Sequence, residues 1–94
     1  MNKYELVVIV APNLTEEEVK ATEEKVKTVI TDNSGVIDNV DDWGKRRLAY
    51  EINDFNEGFY YLVNFSSNPE LPKELDRILR ISDNVIRHMI VKQD

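Results

Sequence analysis

The chain has 94 residues, 41% of them hydrophobic and 32% charged, enough for one small domain over residues 1–94 with a modest core. Its 12 Lys+Arg against 18 Asp+Glu leave a net charge of −6, a balance that by itself disfavours nucleic-acid phosphates. The absence of cysteine excludes disulfides, thiol nucleophiles and Cys-ligated zinc, and fits a cytoplasmic protein.

Lys3 to Val10 alternates with period two and is rich in β-branched residues, which predicts a strand. Its strictly apolar run, Leu6 to Ala11, is far shorter than the ~20 residues of a membrane span, and Glu5 interrupts any signal-peptide pattern. Pro12-Asn13 ends the strand. Thr15 with Glu18 three residues on forms a capping box, flanked by Leu14 and Val19 at the positions of a hydrophobic staple. Glu16, Glu17 and Glu18 sit at the positive end of the helix dipole, so much of the acidity has a structural reason. Val19, Thr22, Val26, Val29 and Ile30 make the helical stripe, which stops at Asn33-Ser34-Gly35.

Val36 to Trp43 predicts a second strand with Val36 and Val40 on one face. Gly44 marks a bulge or bend, after which Arg46 to Ile52 continues with Leu48, Tyr50 and Ile52 sharing a face. Asn53 to Gly58 has turn chemistry and Phe59 to Phe65 is the clearest strand, so the two strands form an antiparallel hairpin. Ser66 to Pro69 is a loop. Glu70 to Ile81 is a helix with Leu71, Leu75, Ile78 and Leu79 as its stripe, its regular part following Pro72. After Ser82-Asp83-Asn84, Val85 to Lys92 is the last strand. The order βαββαβ is an α+β, ferredoxin-like arrangement: a four-stranded antiparallel sheet with two helices on one face.

That arrangement leaves one sheet face open. Phe59, Tyr61, Val63 and Phe65 suit the core, as do Tyr4, Leu6, Val8 and Val10. A buried Arg87 would be costly, so the last strand turns Val85, Arg87, Met89 and Val91 outward. The open face then shows Val7, Ile9, Tyr60, Leu62, Met89 and Val91 beside Arg87, the composition of a surface for a protein partner. The competing reading is a sheet covered by its own loops.

Catalytic chemistry finds little support. The single His88 falls on the core parity, Asp41 and Asp42 point to opposite faces of a strand, and three scattered glycines make no phosphate loop. The expectation is no enzyme, no metal, no cofactor and no small-molecule substrate. Glu57-Gly58-Phe59-Tyr60-Tyr61-Leu62 superficially resembles the third strand of an RNA-recognition motif. It carries Glu57 at the basic position, however, and that register would send Asn64 into the core. Stacking of bases on this strand is therefore not expected.

The charge divides unevenly along the chain. Residues 1–42 hold four basic and ten acidic side chains, and residues 43–94 hold eight of each. The cations gather at Lys45-Arg46-Arg47 and in Arg77, Arg80, Arg87 and Lys92. Two successive guanidiniums after a glycine bend suit phosphate forks, although basic residues on an edge strand also simply suppress aggregation.

Gly44-Lys45-Arg46-Arg47-Leu48-Ala49-Tyr50-Glu51-Ile52 resembles the signature of the bacterial small-ribosomal-subunit protein six family at every position. Met1-Asn2-Lys3-Tyr4-Glu5 is similar to that family's start and Arg80 to Lys92 to its end, so the resemblance spans essentially the whole chain. Asn53 departs from it, where the family often has a basic residue. The resemblance implies a non-catalytic ribosomal constituent that binds the central domain of small-subunit (16S) rRNA with small-subunit protein eighteen as heterodimer partner. By position it implies RNA contacts at Lys3, Arg46, Arg47, Arg80, Arg87 and Lys92. The partner would use the open face or the edge from Val36 to Ile52. The alternative is a regulatory or small-ligand domain that self-associates through its open sheet, which would need a pocket of convergent polar groups.

Overall fold

The computed structural model describes residues 1–93. They form β1 (Asn2–Val10), α1 (Glu16–Asp32), β2 (Val36–Ile52), β3 (Phe55–Ser67), α2 (Glu70–Arg80) and β4 (Val85–Gln93). The strands make one sheet in the order β2-β3-β1-β4 with every neighbouring pair antiparallel. This is the expected ferredoxin-like fold, with both helices packed on one face through Val26, Ile30, Leu71, Leu75 and Leu79.

Cross-strand pairing fixes which side chains share a face. Leu6 stands opposite Val63 and Ile90, and Tyr4 opposite Phe65, so the predicted inward sets of β1 and β3 meet beneath the helices. The rings of Tyr4 and Phe65 stack with centroids 5.4 Å apart. Val7 stands opposite Leu62 and Met89, and Ile9 opposite Tyr60 and Arg87, as expected for the opposite face. A register shift after Ile9, however, sets Val85 opposite Val10 and against the core instead of outward.

Local chemistry explains the element ends. The Thr15 hydroxyl accepts from the Glu18 amide at 3.2 Å, while the Glu18 carboxylate accepts from the Thr15 amide at 2.9 Å. The hydrogen bonds also hold Glu18 below the usual carboxylate range. At the other end of α1, Ser34 takes the left-handed conformation (φ 64°), and the Ser34 and Gly35 amides bond to the Thr31 and Ile30 carbonyls. Gly35 is needed for close approach, because a Cβ there would lie 2.7 Å from Leu71 Cδ2. Helix α2 starts at Glu70, two residues before Pro72, since amides of a first helical turn have no intrahelical acceptor to lose.

Two expectations for the hairpin require correction. The turn is only Asn53-Asp54, both at positive φ (51° and 68°), and β3 begins at Phe55, which pairs with Ile52. That geometry is a type I′ turn, and it extends the ribbon four residues further than the turn chemistry of Asn53–Gly58 suggests. Register shifts also occur between Ile37 and Asn39 and between Asp42 and Gly44. The first shift places Val36 opposite Ser66 and Val40 opposite Val63, so these two valines lie on opposite faces instead of sharing one. Gly44, at φ 71°, lies at the second bulge, as expected.

Candidate interface on the open sheet face

The open face is partly roofed by the chain itself. Between the pairs Arg47–Glu57 and Ile52–Phe55, β2 spends three more residues than β3. That slack carries Leu48 to Tyr50 over the sheet, enclosing a cleft of about 220 Å³ against Val7, Ile9, Tyr60 and Met89. Leu48 is buried there, and Ile9, expected at the surface, is only 6% exposed. Ile9 therefore cannot meet a partner directly, whereas Val7, Tyr60 and Leu62 are half-buried and Met89 and Val91 remain 48% and 45% exposed. Leu48, Tyr50 and Ile52 do share the face the alternation implied, all three lining this cleft.

The roof is pinned at its far side. Tyr50 is 63% exposed, yet its hydroxyl accepts a hydrogen bond from Arg87 Nη1 at 2.6 Å. Trp43, displaced by the second bulge, stacks on Tyr60 at 6.1 Å with an interplanar angle of 12°. Neither contact follows from alternation, because each depends on an irregular residue in β2.

The six candidate RNA contacts fall into two groups. Arg46 stands opposite Gly58, Lys3 opposite Gln93 and Arg87 opposite Ile9, so all three belong to the open face. Arg47 stands opposite Glu57 and Lys92 opposite Tyr4, on the helix side, and Arg80 ends α2. Arg46 and Arg47, expected to act as successive phosphate forks, thus project to opposite sides of the ribbon and do not converge on one phosphate. Lys45 places its ammonium 5.3 Å from the centre of the Phe59 ring, within cation–π range.

The cations also differ in their partners. Arg77 pairs with Glu74, and Arg80 with Asp76. Asp76 Oδ1 further lies 2.8 Å from His88 Nε2, which makes His88 the satisfied structural histidine its parity implied. This His88 hydrogen bond, with the Arg80 charge, holds the Asp76 carboxyl below its ordinary range. Arg46, Arg47, Arg87, Lys3 and Lys92 have no carboxylate in ion-pair distance among the described residues.

Of the acidic half of the chain, Glu5 and Asp41 share the open face, opposite Val91 and Leu62, while a second group gathers on the helix side. Glu23 of α1 is 7% exposed, and its Oε2 has no hydrogen-bond partner. Burial, followed by the charge and hydrogen bond of Asp42, raises its pKa to about 7. Asp42 also accepts the Gly44 amide at 3.0 Å and stands opposite Tyr61, whose buried hydroxyl is likewise unpartnered. Among the described residues, no three His, Cys, Asp or Glu side chains cluster as metal ligands, and no helix is long and apolar enough to cross a membrane.

Comparison with known proteins agrees with this geometry. The ribosomal protein S6 family profile matches residues 3–92. Small ribosomal subunit protein bS6 of Clostridium perfringens is 58% identical over 94 residues, covering 100% of this chain and 99% of the relative. The bS6 of Clostridium beijerinckii is 60% identical over 93 residues, 99% of this chain and 98% of that one. The crystal structure of 30S ribosomal protein S6 from Thermotoga maritima superposes with a TM-score of 0.94 at 36% identity, over 98% of this chain and 87% of that one. The C-terminal domain of MgtC from Mycobacterium tuberculosis, at 10% identity and a TM-score of 0.68, shares the fold alone.

Proposed function

The chain belongs to the ribosomal protein S6 family, and from that premise we propose that it binds the central domain of small-subunit rRNA together with small-subunit protein eighteen. The family is a structural, non-enzymatic constituent of the small ribosomal subunit in the cytoplasm, and RNA binding in translation is in keeping with it. The observation that best supports the finer reading is the composition of the open face. Exposed Met89 and Val91 lie on the same surface as Lys3, Arg46 and Arg87, three cations without carboxylate partners. The carboxylates of the capping box and of the Glu23–Asp42 pair belong to the helix side. Glu5 and Asp41 share the open face and offset part of its positive charge.

Such a domain acts as a clamp. A few phosphate contacts orient it on folded RNA, while apolar side chains at the rim of the roofed cleft give a protein partner area to bury. A net charge of −6 makes solitary binding weak, so the partner supplies further positive charge. The decisive measurement is affinity for a central-domain rRNA transcript with and without protein eighteen. Much tighter binding in its presence is expected, and equal affinity would overturn the clamp. Arg46→Glu with Arg47→Glu in a folded protein should weaken binding by roughly tenfold or more, because each reversal turns attraction to phosphate into repulsion. Unchanged affinity would remove both arginines from the interface.

A further inference from the structure

The hydrogen bond between Tyr50 and Arg87 joins the two outer strands of the sheet, β2 and β4, across a face on which β3 and β1 lie between them. Side chains on opposite edges of a four-stranded sheet do not ordinarily meet. Here they do because the register slack after Arg47 brings Tyr50 inward over the row Tyr60–Ile9–Arg87. The contact is short, 2.6 Å, and leaves both residues at the surface.

We infer that Tyr50 is a positioning residue for RNA, holding the Arg87 guanidinium above the open face as a phosphate fork set before the RNA arrives. The inference rests on the rRNA reading above. A guanidinium carries five N–H donors and the phenol takes one, so four remain for a phosphate. The phenol carries no charge with which to neutralise the cation, in contrast to Asp76, which ties up Arg80. A free arginine on a strand samples many rotamers and loses that freedom on binding. Anchoring one nitrogen at Tyr50 removes part of the loss beforehand, the usual route by which preorganisation tightens a contact. The tyrosine is itself steadied by Leu48 and Ile52, which pack into the cleft on either side of it.

The test compares wild type, Tyr50→Phe and Arg87→Ala, each as the full chain with protein eighteen and the central-domain transcript, over a series of salt concentrations. Arg87→Ala should weaken binding roughly tenfold and lower the salt slope by about 0.9, the share of one phosphate contact. Tyr50→Phe keeps the ring and every charge. It should weaken binding by about threefold to fivefold through lost preorganisation, with the salt slope unchanged. In the free protein, NMR signals of the Arg87 guanidinium should be resolved in wild type and averaged by rotation in Tyr50→Phe. If Arg87→Ala binds weakly and Tyr50→Phe binds like wild type, the positioning role is overturned and the rRNA reading stands. If Arg87→Ala binds as tightly as wild type, Arg87 leaves the RNA site and the inference falls with it. The clamp would then be judged by its own two measurements.

Discussion

On the helix-covered face of the sheet, Leu6, Val63 and Phe65 are sealed from water, while on the opposite face Met89 and Val91 stay half exposed beside Arg87. The first face draws its order from apolar burial between regular elements. The second is organised by irregularity: two bulges, three surplus residues in β2 and one hydrogen bond from edge to edge. A strict alternation in β2 would leave the second face flat, fully open and without the Tyr50–Arg87 bridge. Stability therefore resides mainly on one side of the sheet, and the chemistry available to partners on the other.

The largest test of that contrast is a pair of truncations. Phe65→Ala removes a fully buried ring stacked on Tyr4 and should lower unfolding free energy by about 3–5 kcal/mol. Met89→Ala on the open face should cost less than about 1 kcal/mol, since its side chain is already half in water. Urea unfolding of both variants measures the difference. Comparable losses would mean that the open face carries core-like packing and that the contrast is wrong.

The same contrast explains what could be read from the sequence. The capping box at Thr15, the inward sets of β1 and β3 and the outward placement of Arg87 follow from local pattern, and all appear in the structure. Elements that depend on non-local register were hidden. The bulges that separate Val36 from Val40 and bring Trp43 onto Tyr60 leave the alternation of side chains readable only in pieces. The burial of Ile9 depends on a roof whose path is set by unequal residue counts on two strands. Gly44 was the one local signal of that irregularity, and it marked a single bulge of the two. The Glu23–Asp42 contact was equally invisible, since it joins a helix to a strand nineteen positions away whose register is shifted just before it.

A smaller perturbation probes how closely β3 approaches Ile9 beneath the roof. Gly58 stands opposite Arg46, and a Cβ placed there would lie 2.4 Å from Ile9 Cγ2. Gly58→Ala must push Ile9 or the ribbon aside, with an expected loss of about 1–3 kcal/mol from overpacking. If the ribbon yields, the Tyr50–Arg87 contact opens as well, and the Arg87 guanidinium signals should average as in Tyr50→Phe. A variant as stable as wild type with those signals unchanged would show that β3 does not press on Ile9 at Gly58.

The smallest expected effect lies within the ordered, helix-covered side. Glu23 is an acid whose pKa is raised from 4.5 to about 7 by burial and by Asp42, with Glu24 adding repulsion and Lys27 opposing it. Between those pH values the folded chain holds more protons than the unfolded one. The contribution of Glu23 is therefore complete below about pH 4.5 and is lost as pH rises through about 7. Solvent screening at the edge of the sheet limits its amplitude to on the order of 1 kcal/mol. Glu23→Gln binds no proton in this range, so urea unfolding from pH 5 to pH 8 should give a flatter stability profile than wild type. Asp42→Asn should also flatten it, in part, by lowering the pKa of Glu23 while its side-chain oxygen still accepts the Gly44 amide. Profiles that run parallel for all three proteins would show that Glu23 is ionised throughout and that its unpartnered oxygen reaches water. The contrast between a sealed face and a wet one would then end at the edge of α1.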